Sequence, residues 1–176
     1  MKKDLAAKFK KIKLLLLDVD GVLTSGEIVY DHQGHEIKVF NVQDGFGLVM
    51  LRNNGIKTAI CTARSCQAVQ ARAEDLKIDM IVQDALPKSK AYEKIIAALK
   101  VDEREVCFIA DDLTDLNVFT RVGIAVAVPN AVEEIKKEAD LITNHEGGKG
   151  AVREVVELIL KAQGKWQGLV DSLRLS

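Results

Sequence analysis

Short, unbroken apolar runs recur along the chain at residues 14–17, 58–61, 80–82, 106–110, 124–128 and 141–143. Runs of this length without alternation are the signature of strands buried on both faces, as in a parallel sheet. Between them the apolar positions change to helical spacing. Leu48, Val49 and Leu51 mark a helix over 47–53. Ala68, Val69, Ala73 and Leu76 mark one over 66–76, and Tyr92, Ile95, Ile96 and Leu99 one over 90–99. Further helices are predicted over 113–122, 131–139 and 151–162. Strands alternating with helices predict an α/β fold with a doubly wound, Rossmann-like parallel sheet. There is no repeat, low-complexity tract or linker, so residues 1–176 are expected to form one domain.

One segment departs from this pattern. Residues 27–40 alternate apolar and polar positions (Ile28 and Tyr30, then Ile37 and Val39) around Asp31-His32-Gln33-Gly34. That is the pattern of a β-hairpin with a glycine-containing turn. It follows the first buried strand directly, so it must project from the sheet end. Loops there overlie the ligand site of open α/β folds, and a flap over about 26–40 is expected. The basic stretch 1–13, with Leu5, Phe9 and Ile12 at helical spacing, reads as a short surface helix.

Composition narrows the possibilities. Hydrophobic residues are 48% of the chain and charged residues 29%, as in an ordinary globular protein. A net charge of -1 gives no reason to expect nucleic acid or an anionic membrane as partner. No apolar run is long enough to cross a bilayer, and the N-terminal stretch lacks the apolar core of a secretory signal. The three cysteines, Cys61, Cys66 and Cys107, form no metal-binding or disulfide pattern and fit the reducing cytoplasm.

The candidate chemistry sits at the carboxyl ends of the predicted strands. The first strand ends in Asp18-Val19-Asp20-Gly21. Residues two apart in an extended chain share a side, so Asp18 and Asp20 can face one site. Two close carboxylates call for a cation or a shared proton. A calcium loop is excluded by spacing: its sixth position is Leu23 instead of Gly, and its twelfth is Val29 instead of Glu. The strand over 106–110 runs into Asp111-Asp112 and Asp115, more carboxylates than helix capping requires. Thr62, followed by Arg64 and Ser65, ends the strand over 58–61, and Lys88 follows the one over 80–82. Taken singly, each is also a plausible cap or solvated side chain. Together they supply a carboxylate nucleophile, oxygen ligands for a hard cation such as Mg²⁺, a hydroxyl and an ammonium. Phosphoryl transfer needs this set.

With these residues in order, the chain resembles the haloacid dehalogenase superfamily of phosphatases. The run DVDGVLT from Asp18 is similar to that family's first motif, and Thr62, Lys88 and Asp111-Asp112 to its second, third and fourth. The resemblance implies that Asp18 is the nucleophile and Asp20 the general acid and base. It implies Mg²⁺ held by Asp18, the Asp20 backbone carbonyl and Asp111, with Thr62 and Lys88 holding the phosphate. Asp112, Asp115, Arg64 and Lys149 would be supporting or substrate-contacting residues. The runs FNVQDGFGLVMLRNNGI from Phe40 and GGKGAVREVVELILKAQGKW from Gly147 resemble the phosphatases acting on 3-deoxy-D-manno-octulosonate 8-phosphate in lipopolysaccharide precursor synthesis. A phosphatase for a sialic-type 9-phosphate and a non-catalytic oligomerisation module are the alternatives. A receiver-like domain is argued against by the two paired aspartates and the hairpin.

Two positions depart from the pattern: Ala63 and Ala110 stand where the family usually has glycine. The segments between Asp20 and Thr62 and between Thr62 and Lys88 leave no room for a cap domain. Close relatives in that family are tetramers whose neighbours roof each site. A homotetramer with shared sites is therefore expected, with the hairpin and the apolar tail over about 165–176 at its contacts.

Overall fold

The computed structural model describes residues 3–175; the first two residues of the basic N-terminal stretch and Ser176 of the tail lie outside it. Six strands form one sheet: β1 (Leu14–Leu17), β4 (Lys57–Cys61), β5 (Met80–Val82), β6 (Val106–Ala110), β7 (Ile124–Ala127) and β8 (Leu141–Ile142). Their order is β5-β4-β1-β6-β7-β8 and every pairing is parallel. The chain therefore winds outward from β1 in one direction, returns, and winds outward in the other. The crevice at such a reversal, past the carboxyl ends of the strands, is where open α/β sheets bind ligands. Here it opens between β1 and β6.

The unbroken apolar runs are explained by this placement. All four leucines of β1 and all five residues of β6 have no solvent exposure. Helices cover both faces. On one, α7 (Ala151–Ala162) packs against α1 (Lys3–Phe9), α2 (Val42–Asn53) and α8 (Trp166–Leu175). On the other, α4 (Lys88–Leu99) packs against α5 (Leu116–Phe119), which meets α6 (Glu133–Glu138). The third helix, α3 (Gln67–Leu76), contacts α2. The inward stripe of α7 is Ala151, Val152, Val155, Val156, Ile159 and Leu160, all fully buried and spaced at three and four residues. The N-terminal helix is more than a surface feature, because Phe9 and the following Ile12 enter the core.

Three boundaries differ from the sequence reading. Helix α2 begins at Val42, five residues before Gly47, because Asn41 caps it by accepting from the amides of Gln43 and Asp44. The glycines in its first turns hid that start. The segment predicted as one helix over 113–122 is a 3₁₀ turn (Leu113–Asp115) followed by the single turn of α5. The helix α4 reaches back to Lys88. The flap is a minimal hairpin, β2 (Val29–Tyr30) against β3 (Glu36–Ile37). It is inverted relative to an ordinary one-sided hairpin. Ile28, Val29, Tyr30, Ile37 and Val39 are exposed, whereas the side chain of Lys38 is 1% exposed.

The run around Asn41 has a structural purpose beyond its own helix. The first residue before α7, Gly150, offers no side-chain cap. The carboxylate of Asp44 supplies one from α2, accepting from the amides of Gly150 (3.3 Å) and Arg153 (2.7 Å). Burial holds its pKa above the usual range, against the lowering effect of those two amides. Asp44→Ala is expected to destabilise the fold by about 1–2 kcal/mol, as loss of a helix cap does. Urea unfolding at neutral pH measures this.

Candidate active site

The cleft at the carboxyl end of β1 and β6 encloses about 270 Å³ and is walled by Asp18, Asp20, Thr62, Arg64, Asp111 and Asp112, among others. Among the larger hollows, the one beside Lys10–Lys13 and the one between α2 and α8 carry no comparable set of groups. Asp18, Thr62 and Asp111 are the first residues past β1, β4 and β6, so the parallel sheet alone brings them together.

The turn after β1 is closed by Val22, Leu23 and Thr24, whose amides donate to the carbonyl of Val19. This turn needs Gly21, which adopts φ +81°. A Cβ at Gly21 would also fall on the carboxylate of Asp111. Asn130 secures the turn from the far side, donating to the Gly21 carbonyl (2.8 Å) and accepting from the Gly147 amide (2.9 Å).

Electrostatics dominate the interior of the cleft. Lys88 is fully buried and its ammonium lies 3.0 Å from Oδ1 of Asp18, while also donating to Oδ1 of Asp115. Burial alone would lower the Lys88 pKa; the two carboxylates reverse that and hold it above its ordinary value. One ammonium does not balance the acids around it. Burial, then the charge of Asp115, pushes Asp18 up to about 7 despite Lys88. Burial, then Asp18 and Asp115, pushes Asp111 up to about 8. Asp115 is raised as well, by burial.

These groups fit a hard cation. One oxygen each of Asp18, Asp111 and Asp115 lie within 4.8 Å of one another. Oδ1 of Asp111 is buried without a hydrogen-bond partner, an expensive state for an acceptor. The oxygens of Asp115 are engaged by Lys88 and by the Asp112 amide (3.3 Å). Asp18 and Asp111 are thus the carboxylates with capacity for a metal, and Asp115 buttresses Lys88.

Other expected site residues fall at different depths. Thr62 is buried and lines the cleft. Asp112 is exposed and caps the 3₁₀ turn, accepting from Leu113. The sequence reading gave Lys149 as a possible substrate contact; it lies outside the cleft lining, exposed and paired with Glu146 at 2.8 Å. The glycine segment that holds it is pinned in place. Gly148 donates to the Val22 carbonyl and accepts from Asn41, and a Cβ at Gly147 would collide with the Gly21 carbonyl. Close backbone packing explains these glycines. The two alanines at family glycine positions are unstrained. Among the described residues, the non-glycines with positive φ are Lys77, Asp84 and Lys100.

Sequence reasoning missed Lys38 and Glu36. Lys38 donates to Oδ1 of Asp20 and, at 2.6 Å, to Glu36. Arg64 reaches Glu36 at 3.0 Å and Oδ2 of Asp20 at 3.7 Å. The one available signal was the inverted alternation of the flap, which puts a lysine on the side opposite Ile37 and Val39.

Comparison with known proteins gives consistent results. A family model for haloacid dehalogenase-like hydrolases matches residues 79–155. The 3-deoxy-D-manno-octulosonate 8-phosphate phosphatase KdsC of Yersinia pestis is 41% identical over 165 residues, spanning 94% of this chain and 88% of that protein. KdsC of Escherichia coli K12 is 41% identical over 162 residues, with 92% and 86% covered. Among solved structures, the Moraxella catarrhalis phosphatase of the same name, in complex with a magnesium ion, a phosphate ion and a KDO molecule, superposes with a TM-score of 0.95. It is 40% identical, covering 98% of this chain and 99% of that one.

Proposed function

The chain belongs to the haloacid dehalogenase-like hydrolases, and from that premise we propose that it hydrolyses 3-deoxy-D-manno-octulosonate 8-phosphate with Mg²⁺ as cofactor. The observation that carries this reading is the cluster at the end of β1 and β6: a buried carboxylate, Asp18, held by a buried ammonium beside an unsatisfied Asp111 oxygen. The near full-length match to phosphatases of that name supplies the substrate.

Asp18 is the nucleophile. Its carboxylate oxygen bonds to phosphorus as the bond from phosphorus to the ester oxygen breaks. Asp20 gives its proton to that oxygen, which leaves as the sugar alcohol. Asp20 then takes a proton from water as the water oxygen attacks phosphorus. The bond to Asp18 breaks, returning its carboxylate and releasing inorganic phosphate. Lys88 fixes the nucleophile through Oδ1, leaving the other oxygen for attack. Thr62, at the mouth of β4, offers its hydroxyl to the phosphoryl oxygens. Asp18, Asp111 and the Asp20 backbone carbonyl would hold Mg²⁺, which supplies charge neutralisation for the transferred group.

The acids give this reading a pH signature. Asp18 and Asp111 have pKa values raised from 3.8 to about 7 and about 8, so the metal-free fold binds their protons more tightly than the unfolded chain does. That stabilising contribution is complete below about pH 4 and is lost as pH rises through 7 and 8. In chelator, the melting temperature is expected to fall as pH rises from about 4 to about 8 and to level off above that. The increment given by Mg²⁺ should grow over the same window, because the ionised carboxylates bind it. Melting curves with Mg²⁺ or chelator at each pH measure both; an increment independent of pH would contradict the metal assignment.

The same reading extends to assembly and setting. The flap leaves Tyr30 58%, Val39 76% and the neighbouring Val42 79% exposed, an apolar surface suited to another subunit. With no cap domain, a homotetramer whose neighbours cover each cleft would exclude water from the chemistry. Light scattering tests it; a fully active monomer would refute it. The three buried free thiols suit a cytoplasmic protein, and lipopolysaccharide precursor synthesis is the process in which this substrate occurs. No helix among the described residues is long and apolar enough to cross a membrane.

The reading as a whole is tested by phosphate release from a panel of sugar phosphates with Mg²⁺ or chelator. Preference for the eight-carbon ulosonate phosphate, abolished by chelator, is expected. Preference for a nine-carbon sialic-type phosphate would replace the substrate and keep the mechanism. No release from any ester would favour the non-catalytic module.

A further inference from the structure

The flap carries a buried charge that a simple cover does not need. Removing an ammonium from water is costly unless it is paired with good geometry, and an exposed hairpin can leave its lysines in solvent at no cost. The side chain of Lys38 is instead 1% exposed, between Asp20 and Glu36. Its flanking apolar neighbours Ile37 and Val39 are the ones left outside. The arrangement around Asp20 is asymmetric. Oδ1 is held by the buried Lys38 ammonium. Oδ2 has the Arg64 guanidinium, which is 42% exposed, at 3.7 Å. Glu36 ties the two cations together, since it accepts from both Lys38 and Arg64. It is anchored on a second side as well, because the Glu36 carbonyl lies 3.9 Å from the Sγ of Cys66, the N-cap of α3. The hairpin therefore meets the cleft through polar contacts of Lys38 and Glu36, the carboxylate of Asp20 among them.

We infer that Lys38 is a positioning residue for Asp20: it clamps Oδ1 so that the remaining oxygen is presented for proton transfer at the ester oxygen. The inference rests on the hydrolase reading above. In the first half-reaction the Asp20 proton goes to the ester oxygen as its bond to phosphorus breaks. A poor leaving group such as a sugar alkoxide depends on that proton, whereas an acidic phenol leaves without it. A mispositioned general acid therefore costs rate in proportion to the basicity of the leaving group, at about 10²–10⁴-fold for the full effect. A lysine that merely holds the flap would affect all esters alike.

The experiment compares single-turnover release of the leaving group from a sugar phosphate, 3-deoxy-D-manno-octulosonate 8-phosphate, and from p-nitrophenyl phosphate. The full chain is used with Mg²⁺, in native form and as Lys38→Met and Lys38→Arg. Lys38→Met is expected to slow release from the sugar phosphate by about 10²-fold and from the aryl phosphate by less than about fivefold. Lys38→Arg, which restores a cation, should recover at least about tenfold of the sugar phosphate loss. Should Lys38→Met fail to fold by circular dichroism, Lys38→Arg carries the test alone and must still lose more on the sugar phosphate than on the aryl phosphate. Equal losses on both esters, or none, would overturn the positioning role while leaving the hydrolase reading intact. No release by the native chain from either ester would overturn the hydrolase reading and this inference with it.

Discussion

Asp18→Asn is expected to lower phosphate release by about 10⁴-fold or more, the scale seen when a covalent nucleophile is removed, while the protein stays folded. The asymmetry follows from the surroundings of Asp18. Its carboxylate is buried, and both burial and Asp115 disfavour its charge. Removing that charge relieves a repulsion, and Lys88 keeps Asp115 as its partner. The amide can still pack in the same space but has no negative oxygen to form a bond to phosphorus. It also takes away one of the two carboxylates with capacity for Mg²⁺. Steady-state phosphate release and a melting curve on the same preparation measure the two halves. Activity within about tenfold of native, with the fold intact, would remove Asp18 from the role of nucleophile.

Lys88→Met is expected to have the largest effect on stability. Lys88 is the cation against which Asp18 and Asp115 are buried, with no exposure of its own side chain or that of Asp115. Breaking a buried pair by removing one partner costs about 3–5 kcal/mol, because an uncompensated charge remains. Two carboxylates are stranded here. Mg²⁺ should return part of the loss by supplying a positive charge to the same acids. Activity should fall by about 10²–10³-fold even where the variant is folded, as on removal of a preorganised donor. Urea unfolding with chelator and with Mg²⁺ measures the stability terms. An unchanged midpoint in chelator would mean that the buried pair does not hold the site together.

Much of this was legible in the sequence, for reasons that can be named. Leu14–Leu17 read as a buried strand because a central parallel strand has no polar face to show. Once strands are recognised, topology places whatever follows them in one crevice. That is why Asp18, Thr62 and Asp111 could be grouped from positions far apart. Lys88 was legible as a site residue but not as a fully buried one, since its depth comes from α4 packing over the sheet. Asp115 was expected only as support; its burial and its bond to Lys88 depend on a 3₁₀ turn that the helical spacing of 113–122 concealed.

The remainder rests on long-range partners that no local pattern encodes. Asp44 caps a helix whose first amides lie more than a hundred positions on. Asn130 joins the turn after β1 to the glycine segment before α7, although by composition it is an unremarked loop residue. Lys38 pairs with Asp20, 18 positions earlier in the chain. The glycines at 147 and 148 admit the backbones of Gly21 and Thr24 at close range.

The most direct test of the central claim is to trap the covalent intermediate. The native protein would be mixed with substrate carrying radiolabelled phosphate in the presence of Mg²⁺, quenched in acid within a turnover, and digested for peptide mapping. The account predicts label on the peptide containing Asp18, lost on chase with unlabelled substrate and absent in Asp18→Asn. Rapid turnover with no label at Asp18, or label on another residue, would contradict it.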